Sequence, residues 1–162
     1  MEHIQPLPST FNPRELIMSV LMTPDMANFS GNVHGGELLK LLDQVAYACA
    51  SRYAGCYVVT LSVDQVLFKQ PIKVGEMVTF LASVNYVGRT SMEVGIKVVA
   101  ENIQNRSVHH TNSCYFTMVA MAEGVPQVVP ELSIENDEQA KRQREGLMRK
   151  QMRAQVSRQT CA

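Results

Sequence analysis

A single long apolar helix followed by a run of period-two segments constrains this chain more than any other feature. From Gly36 to about Tyr53, the residues Leu38, Leu41, Leu42, Val45, Ala46 and Cys49 recur at intervals of three and four, the spacing of one helical face. Downstream the period changes to two. Tyr57–Phe68 is rich in β-branched residues and places Thr60, Ser62 and Asp64 on one face. Met77–Val87, Ser91–Glu101 and Ser107–Ala122 follow as further strands, with turn signals at Pro71 and Gly75, at Gly88 and at Asn102–Arg106. Such short connections favour an antiparallel meander. A helix with so few polar residues needs cover on most sides, so the pattern predicts a sheet wrapped around it. Arg14–Met22 is short and apolar, and periodicity alone leaves it strand or helix.

The 162 residues suit one domain with a tail. Residues 1–13 are Pro-rich and read as a flexible segment, 14–130 as the folded domain, and 131–162 as a charged C-terminal helix and tail. Asn136 and Gln139 form a helix-start signal. Few apolar residues follow, chiefly Leu147, Met148 and Met152, which suits a surface helix or a subunit contact. Formal net charge is zero, so no global field favours nucleic acid, and the C-terminal basic run lacks interleaved aromatics. No stretch approaches the roughly 20 apolar residues of a membrane span. The opening MEHIQPLPSTFNPRE lacks the apolar core of a secretory signal. Cys49, Cys56, Cys114 and Cys161 show no CxxC spacing, and the first three lie in or beside apolar segments. They read as small hydrophobes in a reduced, cytoplasmic chain.

Chemistry concentrates between Met22 and Tyr53. Asp43 falls on the border of the apolar arc, between Leu39 and Tyr47. It is either a carboxylate that is solvated or paired with Lys40, or a general base or nucleophile tuned by partial burial. His34-Gly35-Gly36 opens the helix. Glycines there let a ligand approach backbone N–H groups at the positive end of the dipole, a geometry suited to phosphate or a developing oxyanion. His34 is open as acid, base or cap. Asn28 and Asn32 offer amide donors, although loop asparagines are most often turn formers. Gly88-Arg89-Thr90-Ser91 is a turn bearing a guanidinium and two hydroxyls, and Lys69 and Lys73 flank Pro71 as a basic rim. His109-His110 lies on a strand whose neighbours face opposite ways. With no His/Cys/Asp cluster at ligand spacing, no metal site is expected.

Four ordered blocks, PDMANFSGNVHGGELLKLLDQVA, VVTLSVDQVLFKQPIKVGE, VGRTSMEV and NSCYFTMVA, resemble the hotdog-fold acyl-coenzyme A thioesterases of the cytosolic acyl-CoA hydrolase type. The resemblance covers roughly residues 14–130. It implies an α+β hotdog: a five-stranded antiparallel sheet, with Arg14–Met22 as its first strand, wrapped around one long helix. The C-terminal helix lies outside it. It implies a homodimer with sheets joined edge to edge, commonly a trimer of dimers, and sites shared between protomers. It matches Asn28 and Asp43 to the catalytic pair, Gly35 and Gly36, beside His34, to donors for the thioester oxygen, and Arg89, Thr90 and Ser91, with Lys69, to the coenzyme A path. The substrate implied is fatty acyl-CoA, with no cofactor, coenzyme A being part of the substrate. A non-catalytic acyl-CoA binding or sensing module, or a hotdog hydratase or dehydratase, are the alternatives.

Overall fold

A computed structural model describes residues 12–160. The expected flexible segment at residues 1–13 therefore lies almost wholly outside the described residues. Strand β1 (Glu15–Leu21) leads through a single 3-10 turn (Pro24–Met26) into α1 (Gly35–Ala54). Strands β2 (Val58–Val63), β3 (Met77–Val87), β4 (Ser91–Asn102), β5 (Ser107–Ala122) and β6 (Val125–Pro126) follow, then α2 (Asp137–Thr160). The sheet order is β1-β3-β4-β5-β2, antiparallel throughout, and the two-residue β6 folds back on the end of β5 as a sixth strand. Neither described helix is long and apolar enough to cross a membrane.

Helix α1 lies against the inner face of this sheet. Leu38, Leu42, Val45, Ala46, Cys49 and Ala50 are buried against Phe80, Val94, Ile96, Phe116 and Met118. Burial of each such side chain contributes about 1.5–3 kcal/mol. The helix ends at Gly55, whose φ of +69° is the left-handed conformation a closing glycine supplies, with its N–H bonded to Ser51 O. The cover is incomplete in one chain: Leu39, Asp43, Gln44 and Tyr47 form an exposed stripe beside edge strand β2.

Strand β2 is shorter than the period-two pattern over Tyr57–Phe68 suggests, and it is irregular. A bulge lies between Thr60 and Ser62: Thr60 pairs with Met118, whereas Ser62 pairs with the adjacent Thr117. A bulge shifts the alternation by one residue. Thr60 keeps the α1-facing parity of Val58, while Ser62 and Asp64 beyond the bulge face the outer side, so the three do not share a face as expected. Asp64 N–H still bonds Tyr115 O at 2.9 Å, after which the chain leaves the sheet.

The outer face of the sheet carries α2. Its start is capped as the sequence suggests: Asn136 Oδ1 accepts from Gln139 N–H at 2.9 Å, and Gln139 Oε1 accepts from Glu135 N–H at 2.8 Å. The helix is docked by charge. Glu93 of β4, 1% exposed, takes a bidentate pair from Arg149 at 2.7 and 3.0 Å. The Arg149 guanidinium also lies 3.6 Å over the Tyr115 ring. Arg153 reaches Asp64 at 2.7 Å. Helix and sheet approach so closely at Gly146 that a Cβ there would lie 2.7 Å from Tyr86 Cβ. Arg149→Ala leaves Glu93 buried without its bidentate partner, and loss of one member of such a pair costs about 3 kcal/mol. Urea denaturation should show that loss, with faster proteolysis within 137–160.

Candidate active site

The loop before α1 is built around the Asn28 side chain. Ala27 bridges to Val33, Asn28 N–H bonds Asn32 O at 2.6 Å, and Gly31 turns the chain with φ +82°. Asn28 Oδ1 accepts from Ser30 N–H (2.9 Å), Ser30 Oγ–H (2.8 Å) and Asn32 N–H (3.1 Å). These bonds occupy the carbonyl end of the amide. Nδ2 is left as a donor with no partner among the described residues, held rigidly at the loop surface. Phe29 beside it is fully exposed.

His34 caps α1. Its Nδ1 accepts from Gly36 N–H at 2.9 Å, which places the ring proton on Nε2. This divides the glycine pair. Gly36 N–H is engaged by the cap, so it is not the free oxyanion donor expected of it. Gly35 N–H has no partner among the described residues and keeps the positive end of the helix dipole.

Asp43 lies two turns further along. It does not pair with Lys40. Its Oδ1 accepts from Thr60 Oγ–H at 2.6 Å. Thr60 Oγ is also 3.5 Å from Met118 Sδ, but a hydroxyl has one proton and the carboxylate is much the stronger acceptor. With Oδ1 held, Oδ2 has no hydrogen-bond partner among the described residues, and Asp43 lines an open cleft with Gln44, Tyr47 and Tyr57–Thr60. Thr60 shares the α1-facing parity of buried Val58, in unbroken register with Met118 and Ala120, and sequence alone does not mark it as a site residue.

One chain does not bring all these groups together. Eight residues separate Gly35 from Asp43, roughly 12 Å along the helix, and Asn28 belongs to the Gly35 end. The Arg89–Ser91 turn lies toward the other end of the sheet. Ser91 and Val59 both register with Val119, on opposite flanks of β5, so the turn sits about 10 Å from the Thr60 strand. Thr90 O accepts from Ala120 N–H and Arg89 O from Val129 N–H, both at 3.0 Å, which fixes the turn and leaves the Arg89 side chain exposed. Lys69 adjoins Phe68, which packs near Gly35. That is the Asn112 end of β5, roughly 20 Å from Val119. Lys69 and Arg89 therefore do not form one patch within a chain.

Cys49 and Cys114 are not nucleophiles in this fold. Burial pushes Cys49 and Cys114 up to about 12 from 9.0, so both are thiols at neutral pH. The folded-state values exceed the unfolded ones. Their contribution to stability is therefore complete below about pH 8.5 and is lost as pH rises toward 12. A thiol reagent followed by mass spectrometry should modify the half-buried Cys56 in native protein, and Cys49 and Cys114 only after denaturation.

The thioesterase superfamily pattern matches residues 30–106. A solved apo-hexameric acyl-CoA thioesterase superposes with TM-score 0.84 at 32% identity, covering 88% of this chain and 92% of that one. The chain belongs to the hotdog-fold acyl-CoA thioesterases. An acyl-CoA hydrolase of Staphylococcus aureus, solved with butyryl coenzyme A, coenzyme A and coenzyme A disulfide, superposes with TM-score 0.80 at 30% identity, covering 91% and 92% of the two chains. Protein VdlD of Helicobacter pylori is 54% identical over 144 residues, covering 89% of this chain and 83% of that protein. The exposed α1 stripe, the docked Asn28 loop and the Asp43–Thr60 pair are thus features of an acyl-CoA hydrolase, a single hotdog with one face of its helix uncovered.

Proposed function

We propose that this thioesterase hydrolyses fatty acyl-CoA to free fatty acid and coenzyme A, at sites shared by two copies of the chain. The observation that carries the reading is the 2.6 Å bond from Thr60 to Asp43 on an open face, with the unpartnered donors of Asn28 and Gly35 set apart in the same chain. The two halves of one site lie about 12 Å apart, at the start and near the middle of α1. A twofold axis beside edge strand β2 would join Asp43 and Thr60 of one protomer to the partner's Asn28 and Gly35. The free edge of β2 supports this. It carries exposed Tyr57, Leu61 and Val63 next to the apolar Leu39 and Tyr47 of α1, and an unpaired apolar edge is a liability that association removes. A trimer of such dimers is the assembly proposed, in line with the hexamer named for one relative. The proposed compartment is the cytoplasm, consistent with three free described cysteines.

In this reading Gly35 N–H and Asn28 Nδ2–H bond the thioester oxygen as it gains charge. Thr60 holds one oxygen of Asp43, and the other takes a proton from water as that water attacks the carbonyl carbon. The C–S bond then breaks and the departing thiolate recovers the proton from Asp43. Direct attack by Asp43 to form an anhydride, opened afterwards by water, uses the same residues. No cofactor enters either route. Alanine variants of the Staphylococcus aureus hydrolase at an aspartate, an asparagine and a threonine have been solved, the same three residue types. His34 spends its Nδ1 on the helix cap, which disfavours a hydratase that needs a histidine acid–base. Arg89→Ala should raise KM for acyl-CoA about tenfold with kcat unchanged, since a contact remote from the thioester binds ground and transition states alike. A substrate cut back to the pantetheine arm should be insensitive to the change. The direct test of function is free-thiol release from a panel of acyl-CoAs by the purified protein. Absence of release from every member overturns the reading.

A further inference from the structure

Behind the helix start is a small closed cavity with an unusual floor. Asn112 lies on the α1-facing side of β5, opposite Val98, in line with Cys114, Phe116 and Met118. It is 2% exposed, and neither its Oδ1 nor its Nδ2 has a partner among the described residues. The remaining lining is Leu38 and Leu42 of α1, Phe68 and Ile72 of the β2–β3 connection, and Phe80, Val98 and Thr111 of the sheet. Thr111 is already satisfied, its hydroxyl donating to Val98 O at 3.1 Å. Among these residues the Asn112 carboxamide alone keeps both a donor and an acceptor open.

The cavity begins where the chemistry is proposed. Phe68 Cε2 lies 3.6 Å from the point where a side chain on Gly35 would start. Leu38 and Leu42 follow Gly35 by three and seven residues, so the space spans about 6 Å of α1 and its far end lies roughly 10 Å from Gly35. An acyl chain whose carbonyl sits on Gly35 N–H passes Phe68, runs along Leu38 and Leu42, and ends on Asn112. As drawn, with the Phe68 ring in place, the space does not admit a water molecule. Phe68 is 43% exposed on an irregular connection, and entry of an acyl chain requires its ring to turn aside.

We propose that Asn112 is the specificity-determining floor of the acyl pocket, and that it selects acyl groups bearing a hydroxyl toward their far end. A hydroxyl both donates and accepts, the complement of a carboxamide. A bare methyl end leaves both amide atoms buried and unpaired, and sites built to bond a hydroxyl reject analogues that lack it. The inference rests on the thioesterase reading above and names its substrate class.

The test compares kcat/KM for thiol release from butyryl- and hexanoyl-CoA with that for their β- and ω-hydroxylated counterparts. Wild-type protein should favour a hydroxylated member by at least about tenfold. Asn112→Leu, close in size and apolar, should remove that preference by improving turnover of the plain chain, and should keep or raise Tm because two unpartnered groups are gone. A wild type that handles plain chains as well as every hydroxylated one overturns the inference, with or without a folded variant. So does an unchanged ratio in Asn112→Leu. A marked fall in its Tm also overturns it, since that is the mark of a structural partner for the amide. In all three cases thiol is still released and the thioesterase reading stands. No release from any substrate ends both.

Discussion

Asp43→Ala should abolish most thioester hydrolysis and leave the fold intact. Loss of a positioned general base costs about 10²–10⁴ in rate. Asp43 stands on the exposed stripe of α1 rather than in its buried face, so its removal opens no core cavity. Steady-state thiol release and thermal denaturation on the same preparation check both halves of the statement. A folded variant with near wild-type turnover removes Asp43 from the mechanism. Thr60→Val is the companion measurement. It keeps the strand and the side-chain volume but deletes the proton donated to Asp43 Oδ1. A smaller loss than for Asp43→Ala identifies Thr60 as a positioning residue, and a changed pH profile of kcat/KM distinguishes that role from a merely structural one.

Asn28→Ala, expected to be inactive on its own, should recover activity when mixed with the equally inactive Asp43→Ala. In a mixed dimer one of the two sites receives its Asn28 from one chain and its Asp43 from the other, both intact. Random exchange of equal amounts puts half the dimers in the mixed form, each with one good site of two. About a quarter of wild-type activity should return, against a background lower by orders of magnitude. Asn28→Ala also frees the Ser30 and Asn32 donors that its Oδ1 holds. Asn28→Asp, which keeps that oxygen and loses only the outward donor, separates loop order from chemistry. Demonstrated subunit exchange with no recovery would place both residues in a site made by one chain. The helix geometry argues against that, since Gly35 and Asp43 are roughly 12 Å apart along α1.

Much of the architecture is legible in residue order because it depends on periodicity and local signals. The three-and-four spacing of Leu38, Leu42, Val45 and Cys49 specifies a helix with one buried face, and strands β3 and β5 begin and end where alternation and turn residues put them. Asn136 and Gln139 mark the start of α2 through hydrogen bonds that span only a few residues. The border position of Asp43 is equally local, since it follows from 100° per residue on a helix. Asn112 was readable in principle. It has the same parity on β5 as Cys114, Phe116 and Met118, but an isolated polar residue in an apolar alternation does not reveal whether a partner awaits it.

What residue order by itself determined was the central helix and strands β3, β4 and β5, which face of the helix is apolar, and where a carboxylate, an amide and a glycine helix start fall along the chain; it left Arg14–Met22 open and made β2 too long. Tertiary structure decided which of these groups meet. The bulge between Thr60 and Ser62 turns Ser62 and Asp64 to the outer face and leaves Thr60 alone of the three beside Asp43. Folding back of His34 spends the Gly36 amide and leaves Gly35 as the donor. A charge-rich helix is fastened to the sheet because Glu93, an acid on an otherwise apolar stretch of β4, is buried beneath Arg149 and Arg153. The physical reason is the same in each case. Periodicity reports the average environment of a face, whereas a bulge, a cap or a buried ion pair is a single contact between residues distant in the chain or turned by one residue, and only the packed fold sets it.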